Sequence, residues 1–86
     1  MTLVIDGASI ENKNDFYQNI KKELNAPEYF GNNLDALYDI LTEQSDIIQI
    51  EFLHYNKMRN QIGTAFCEKL LKVLQNADIL TIIDQH

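Results

Sequence analysis

Eighty-six residues carrying a net charge of -6, with 45% hydrophobic and 23% charged residues, fit one globular domain spanning 1–86 and leave no room for a second core. The single cysteine, Cys67, excludes an internal disulfide framework and a cysteine-rich metal site, which points to a reducing compartment, the cytoplasm. No run approaches the roughly eighteen apolar residues of a membrane span, and the opening Met1–Ile5 stops at Asp6-Gly7, well short of a signal sequence.

In chain order, Thr2-Leu3-Val4-Ile5 is an apolar run stopped by the turn signal Asp6-Gly7 and predicts a first strand. Asn14 is a candidate cap for a helix with Phe16, Ile20 and Leu24 at four-residue intervals. Pro27 disfavours helical geometry at Ala26, so that helix should end near Leu24 or Asn25. After the loop Glu28-Tyr29-Phe30-Gly31, Asn32 or Asn33 can cap a second helix with Leu34, Leu37 and Leu41 on its inner face. The β-branched stretch Ile47–Leu53 predicts a second strand. The segment Asn56–Ile62 reads as a short helix or an irregular connection. Thr64 is a candidate cap for a helix with Phe66, Leu70, Val73 and Ala77 down one side, and Ile79–Ile83 predicts a last strand. Apolar strands separated by helices give an α/β class: three strands in a small parallel sheet, packed with three to four helices. Strand order does not follow from the sequence.

Charge is unevenly placed. Residues 23–56 hold seven acids and no base, whereas the remainder holds seven bases and six acids, so the whole net negative charge sits in the middle of the chain. Such a surface argues against direct binding to a nucleic-acid backbone and favours a basic partner, whose encounter it would accelerate; a solubilising surface is the plainer alternative. On the second helix, at about 100° per residue from Leu34, Leu37 falls near 300° and Leu41 near 340°. Tyr38, Thr42, Asp35 and Asp39 fall between about 40° and 140°, a polar strip beside the apolar face. Asp35, Asp39 and Glu43 follow one another at i,i+4, a spacing at which like charges weaken a helix by a few tenths of a kcal/mol each. The helix N-terminus offsets part of this for Asp35 and less for Asp39. Tyr29, Phe30 and Tyr38 add aromatic groups of the kind that anchor interfaces, although core packing accounts for such residues equally well.

The segment Leu24-Asn25-Ala26-Pro27-Glu28-Tyr29-Phe30-Gly31-Asn32-Asn33-Leu34-Asp35-Ala36-Leu37-Tyr38-Asp39-Ile40-Leu41-Thr42 closely resembles the signature of the barstar-like ribonuclease inhibitors. The resemblance implies a non-enzymatic inhibitor, monomeric when free, whose protein partner is a basic ribonuclease of barnase type and which protects the producing cell. It implies that Asp39 enters the nuclease active site in place of a substrate phosphate. Asp35 would make a second acidic contact, Tyr29 an aromatic one and Thr42 a polar one, with Gly31 and Asn33 lying against the enzyme. Phe30, Tyr38 and Glu43 fall on the same surface but stand where the family usually has tyrosine, tryptophan and glycine, and Asn76 stands where an acid would be expected.

Other chemistry finds little support. Cys67 reads as an inert, partly buried thiol and His54 as a surface or capping residue; Ser9 and Ser45 lack a nucleophile context. No cofactor or metal is implied, since neither a glycine-rich phosphate loop nor a zinc motif is present. Two readings from other classes stand beside the inhibitor. One is an acidic adaptor for an unrelated basic protein; the other is a small hydrolase using Asp35 and Asp39 as acid and base or as ligands of a divalent cation.

Overall fold

The fold is described from a computed structural model that covers residues 2–26, 31–43 and 46–84. Strand β1 (Thr2–Asp6) leads through a 3-10 turn (Gly7–Ser9) to α1 (Lys13–Leu24) and α2 (Leu34–Glu43). Strand β2 (Gln49–Leu53) is followed by α3 (Tyr55–Ile62), α4 (Thr64–Asn76) and β3 (Leu80–Ile83). The strands form one parallel sheet in the order β1-β2-β3, which supplies the order that the sequence left open. Each step moves to the next strand in the same direction, so two right-handed crossovers put both helix pairs on one face. Burial agrees. Leu3, Ile5, Ile50 and Phe52 point into the helical layer and are at most 2% exposed, whereas Val4 and Ile82, on the rows between them, are exposed.

The helix caps differ from expectation by a residue or two. Asn12, not Asn14, caps α1: its backbone is extended and its Oδ1 accepts from the Asp15 N–H at 2.8 Å, while Asp15 Oδ2 accepts from the Glu11 N–H at 3.1 Å. The C-terminus lies where Pro27 placed it, with Asn25 left-handed (φ 51°) and the Ala26 N–H donating to Lys21 O at 2.9 Å. Thr64 is the first residue of α4 rather than its cap. Gly63, at φ 99°, takes the cap position that a side chain would strain, and no side-chain hydrogen bond closes that end. The fully buried residues of α4 are Cys67, Leu70 and Leu74; of the expected face Leu70 is buried, Phe66 and Ala77 are partly buried against the core, and Cys67 and Leu74 join it. Phe66 lies at the flank, in edge-to-face contact with Phe16 and Tyr17.

Residues 55–62 form a helix, which settles the alternative left open there. His54 is exposed and takes the N-cap position of α3 in a left-handed conformation (φ 52°), a surface and capping place as expected. It closes the helix through its carbonyl, which accepts from the Met58 N–H at 3.3 Å, and not through its side chain. Strand β2 begins at Gln49 rather than Ile47, and β3 at Leu80 rather than Ile79. Gly7 fixes the approach of α3 to the sheet: a Cβ there would lie 2.5 Å from His54 O and 2.8 Å from Leu53 O.

Cys67 is wholly buried rather than partly so. Burial pushes its thiol up from the ordinary value, against the hydrogen bond with Tyr55, which lowers it. Burial likewise pushes the Tyr55 hydroxyl from 10.0 up to about 12, with the Cys67 charge and hydrogen bond acting in the same direction. A raised folded-state value means that the neutral phenol is preferred in the fold. The resulting stabilisation is complete below pH 10.0 and lost as pH rises through about 12. Alkaline unfolding followed by circular dichroism should therefore show a loss of stability across that window. Tyr55→Phe should remove that component; an unchanged alkaline limb would show that another group is responsible.

Candidate functional site

Helix α2 is built to hold one face down and the other out. Its N-terminus is closed by Asn33, whose Oδ1 accepts from the Ala36 N–H at 2.7 Å while its carbonyl accepts from the Leu37 N–H at 3.1 Å. Such a cap is worth about 1 kcal/mol and fixes where the first turn points. Leu37, Ile40 and Leu41 are buried in the core under the sheet, and Leu34 is packed against it. Ile40 widens the inner face beyond the three leucines read from the sequence. The opposite face carries Asp35, Tyr38, Asp39, Thr42 and Glu43, all exposed, with Tyr38 at 39%.

The three acids rise along the axis in steps of about 6 Å, four residues at 1.5 Å each. Among the described residues, no hydrogen bond or ion pair engages the carboxylates of Asp35, Asp39 or Glu43. The cost of this like-charge ladder is left in place by the fold and is available to be relieved by an external cation. Thr42 departs from the simplest picture of a free polar contact. Its hydroxyl donates into its own helix, with Tyr38 O at 2.9 Å and Asp39 O at 3.2 Å, which leaves its oxygen to face outward as an acceptor.

Just before α2, Asn32 is tied to α1, its Nδ2 donating to Asn14 Oδ1 at 3.3 Å. Gly31 is half-buried, and a Cβ there would meet Asn33 Nδ2 at 3.0 Å, so a side chain would press on the residue that caps α2. Tyr29 and Phe30 lie outside the described residues. Asn76 is exposed at the end of α4. The structure thus brings Asn33, Asp35, Tyr38, Asp39, Thr42 and Glu43 onto one helix and its cap, with Gly31 just before them. Beside this surface lies a cleft of about 510 Å³ that the sequence did not reveal, bordered by Asn33 and Asp35 on one side and by Lys13, Phe66 and Lys69 on the other. It brings together residues far apart in the chain, which no local pattern signals. Lys13 holds its ammonium 5.2 Å from the Phe66 ring centroid.

Among the described residues, no group of three His, Cys, Asp or Glu is placed to hold a metal ion, and no helix is long and apolar enough to cross a membrane. The hydrolase reading therefore finds no ligand set there.

A parallel three-stranded sheet with four helices on one face, and an acid-bearing helix closed by Asn33, define a barstar-like α/β fold, and residues 1–81 match the family model described as barstar (barnase inhibitor). The chain belongs to that family. Over 75 residues it is also 33% identical to YrdF of Bacillus subtilis (strain 168), a protein whose name provisionally assigns it as a ribonuclease inhibitor; the match spans 87% of this chain and 82% of the relative.

Proposed function

We propose that the chain is a non-enzymatic inhibitor of a small basic ribonuclease of barnase type, acting as one domain in the cytoplasm of the cell that makes the nuclease. The observation that carries this reading is the exposed carboxylate ladder Asp35–Asp39–Glu43 on a helix whose other face is locked into the core. A ribonuclease cleft is lined with cations that hold RNA phosphates. Helix-borne carboxylates offer those cations the same charge on a rigid frame, so little conformational entropy is lost on binding. Asp39, midway along the ladder, is the group assigned to the catalytic phosphate position. Asp35 and Glu43 meet cations on either side, and Tyr38 supplies flanking apolar contact. Tyr29, Phe30, Gly31, Asn33 and Thr42 complete the contact surface in this reading.

The acidic field of the chain accelerates encounter with a basic enzyme, and salt weakens that field over about 8–10 Å at physiological ionic strength. Titrating the inhibitor into a small basic ribonuclease should abolish RNA cleavage at one equivalent, with an association rate that falls steeply as salt is raised. Full cleavage at a large molar excess, across a set of such nucleases, would overturn the assignment.

A further inference from the structure

The cleft beside α2 shares Asn33 and Asp35 with the acidic surface, and its other wall is cationic. Lys13, the first residue of α1, and Lys69 on α4 are both exposed, and among the described residues neither is in an ion pair. Two of the seven bases of a chain with a net charge of -6 are thus drawn from distant segments to one cleft. The Lys13 ammonium lies 5.2 Å from the Phe66 ring centroid, and Phe66 and Lys69, three residues apart, are neighbours on α4. The amides at the mouth add donors. Asn14 Oδ1 accepts from Asn32 Nδ2, and Asn33 Oδ1 accepts from the Ala36 N–H, which leaves the Nδ2 groups of Asn14 and Asn33 to donate. Two ammonium groups and two amide donors therefore border the cleft, with the Asp35 carboxylate on the rim nearest the ladder.

We infer that Lys13 and Lys69 receive a carboxylate of the bound ribonuclease, one standing beside its phosphate-binding cations, and so decide which basic ribonuclease the chain inhibits. The inference rests on the inhibitor reading and extends it to the enzyme's side of the contact. Area requires contact beyond α2. The outward side of this ten-residue helix measures roughly 15 Å by 10 Å, far short of the roughly 800 Å² per partner that a standard complex buries. A partner seated on Asp35 lies across the mouth of the cleft that Asp35 borders.

Charge then fixes the occupant. Attraction to the α2 carboxylates selects an enzyme rich in cations, but a uniformly cationic surface laid over Lys13 and Lys69 meets like charge, which disfavours it. Both requirements are met by an enzyme whose cations are flanked by an acidic side chain. A stretch of RNA does not meet them, since Asp35 borders the same cleft and the chain as a whole repels a polyanion. The α2 ladder thus attracts basic enzymes as a class, and the lysines choose among them.

Charge reversal separates this pairing from steering by net charge. The double variant Lys13→Glu, Lys69→Glu is more acidic, so steering alone would speed capture of a basic enzyme and tighten binding. Loss of a specific pair predicts the opposite. Against the member of a panel of small basic ribonucleases that the parent chain inhibits best, the double variant should bind roughly tenfold more weakly or worse, through faster dissociation. Lys57→Glu, Lys72→Glu adds the same negative charge at exposed positions outside the cleft and should not weaken inhibition. Lys13→Arg, Lys69→Arg keeps the charge and should retain it. A Lys13→Glu, Lys69→Glu chain that inhibits as well as the parent or better would sink the inference and leave the inhibitor reading intact. So would an equal loss in Lys57→Glu, Lys72→Glu, since the effect would not belong to the cleft. A parent chain that inhibits no ribonuclease of the panel would remove the inhibitor reading, and this inference with it.

Discussion

Asp39→Ala should weaken inhibition of the cognate ribonuclease more than any other single substitution on α2. Asp39 is exposed, central in the ladder and held by a helix whose inner residues, Leu37, Ile40 and Leu41, are almost wholly buried, so the carboxylate arrives at the enzyme with little freedom to lose. Removing it leaves the nuclease with phosphate-binding cations buried against a methyl group. The cost is that of uncompensated buried charge, about 2 kcal/mol or more, roughly thirtyfold or greater in affinity. The barstar–barnase pair is itself among the complexes that set this range, so the magnitude is a property of the class. Asp35→Ala and Glu43→Ala should cost less, because both lie toward the ends of the ladder. The loss should fall mainly on the dissociation rate, whereas added salt acts mainly on association. Measured inhibition constants that rank Asp39→Ala among the weakest substitutions would remove it from the centre of the contact.

The largest loss of stability should come from Phe52→Ala. Phe52 lies on the central strand, is fully buried, and meets the Tyr55 ring edge-on at 5.8 Å. Truncating such a side chain costs about 3–5 kcal/mol through lost burial and the cavity left behind. A small domain has about 5–15 kcal/mol in total, and one of this size lies toward the lower end. The variant should therefore melt more than about 10 °C below the parent and have a much lower urea midpoint. Val4→Ala, half-exposed on the open face of the same sheet, should change stability by no more than about 0.5 kcal/mol. Equal effects from the two substitutions would mean that the helical layer is not where the core lies. Because α2 rests on this core, Phe52→Ala should weaken inhibition only in proportion to the fraction unfolded.

Much of this architecture is legible from local chemistry. Pro27 ends α1 by excluding the helical conformation before it, and the three strands announce themselves as β-branched runs. Inner and outer faces of α2 follow from the placement of Leu37 and Leu41 against Asp35 and Asp39 at 100° per residue. Errors arise where two local signals compete. Asn12 and Asn14 are equally good caps by type; the bond from the Asp15 N–H to Asn12 Oδ1, with that from the Glu11 N–H to Asp15 Oδ2, decides for the first. Thr64 is a good cap residue, but Gly63 can adopt φ 99° and so starts α4 one residue earlier. Separately, the fold turns Cys67 and Leu74 inward and leaves Phe66 at the flank. Packing, not propensity, made that choice, and it was invisible in a single helix considered alone. Strand order and the cleft between Lys13 and Lys69 depend on segments distant in the chain.

Competition for the enzyme's cleft separates blockade of the active site from binding anywhere else on the ribonuclease. Association of the two proteins can be followed by stopped flow while the nuclease is preloaded with increasing amounts of a short, non-cleavable oligonucleotide. Occupation of phosphate subsites by the α2 carboxylates predicts that complex formation slows in proportion to the fraction of nuclease already holding oligonucleotide. A ternary complex that forms at an undiminished rate would contradict it.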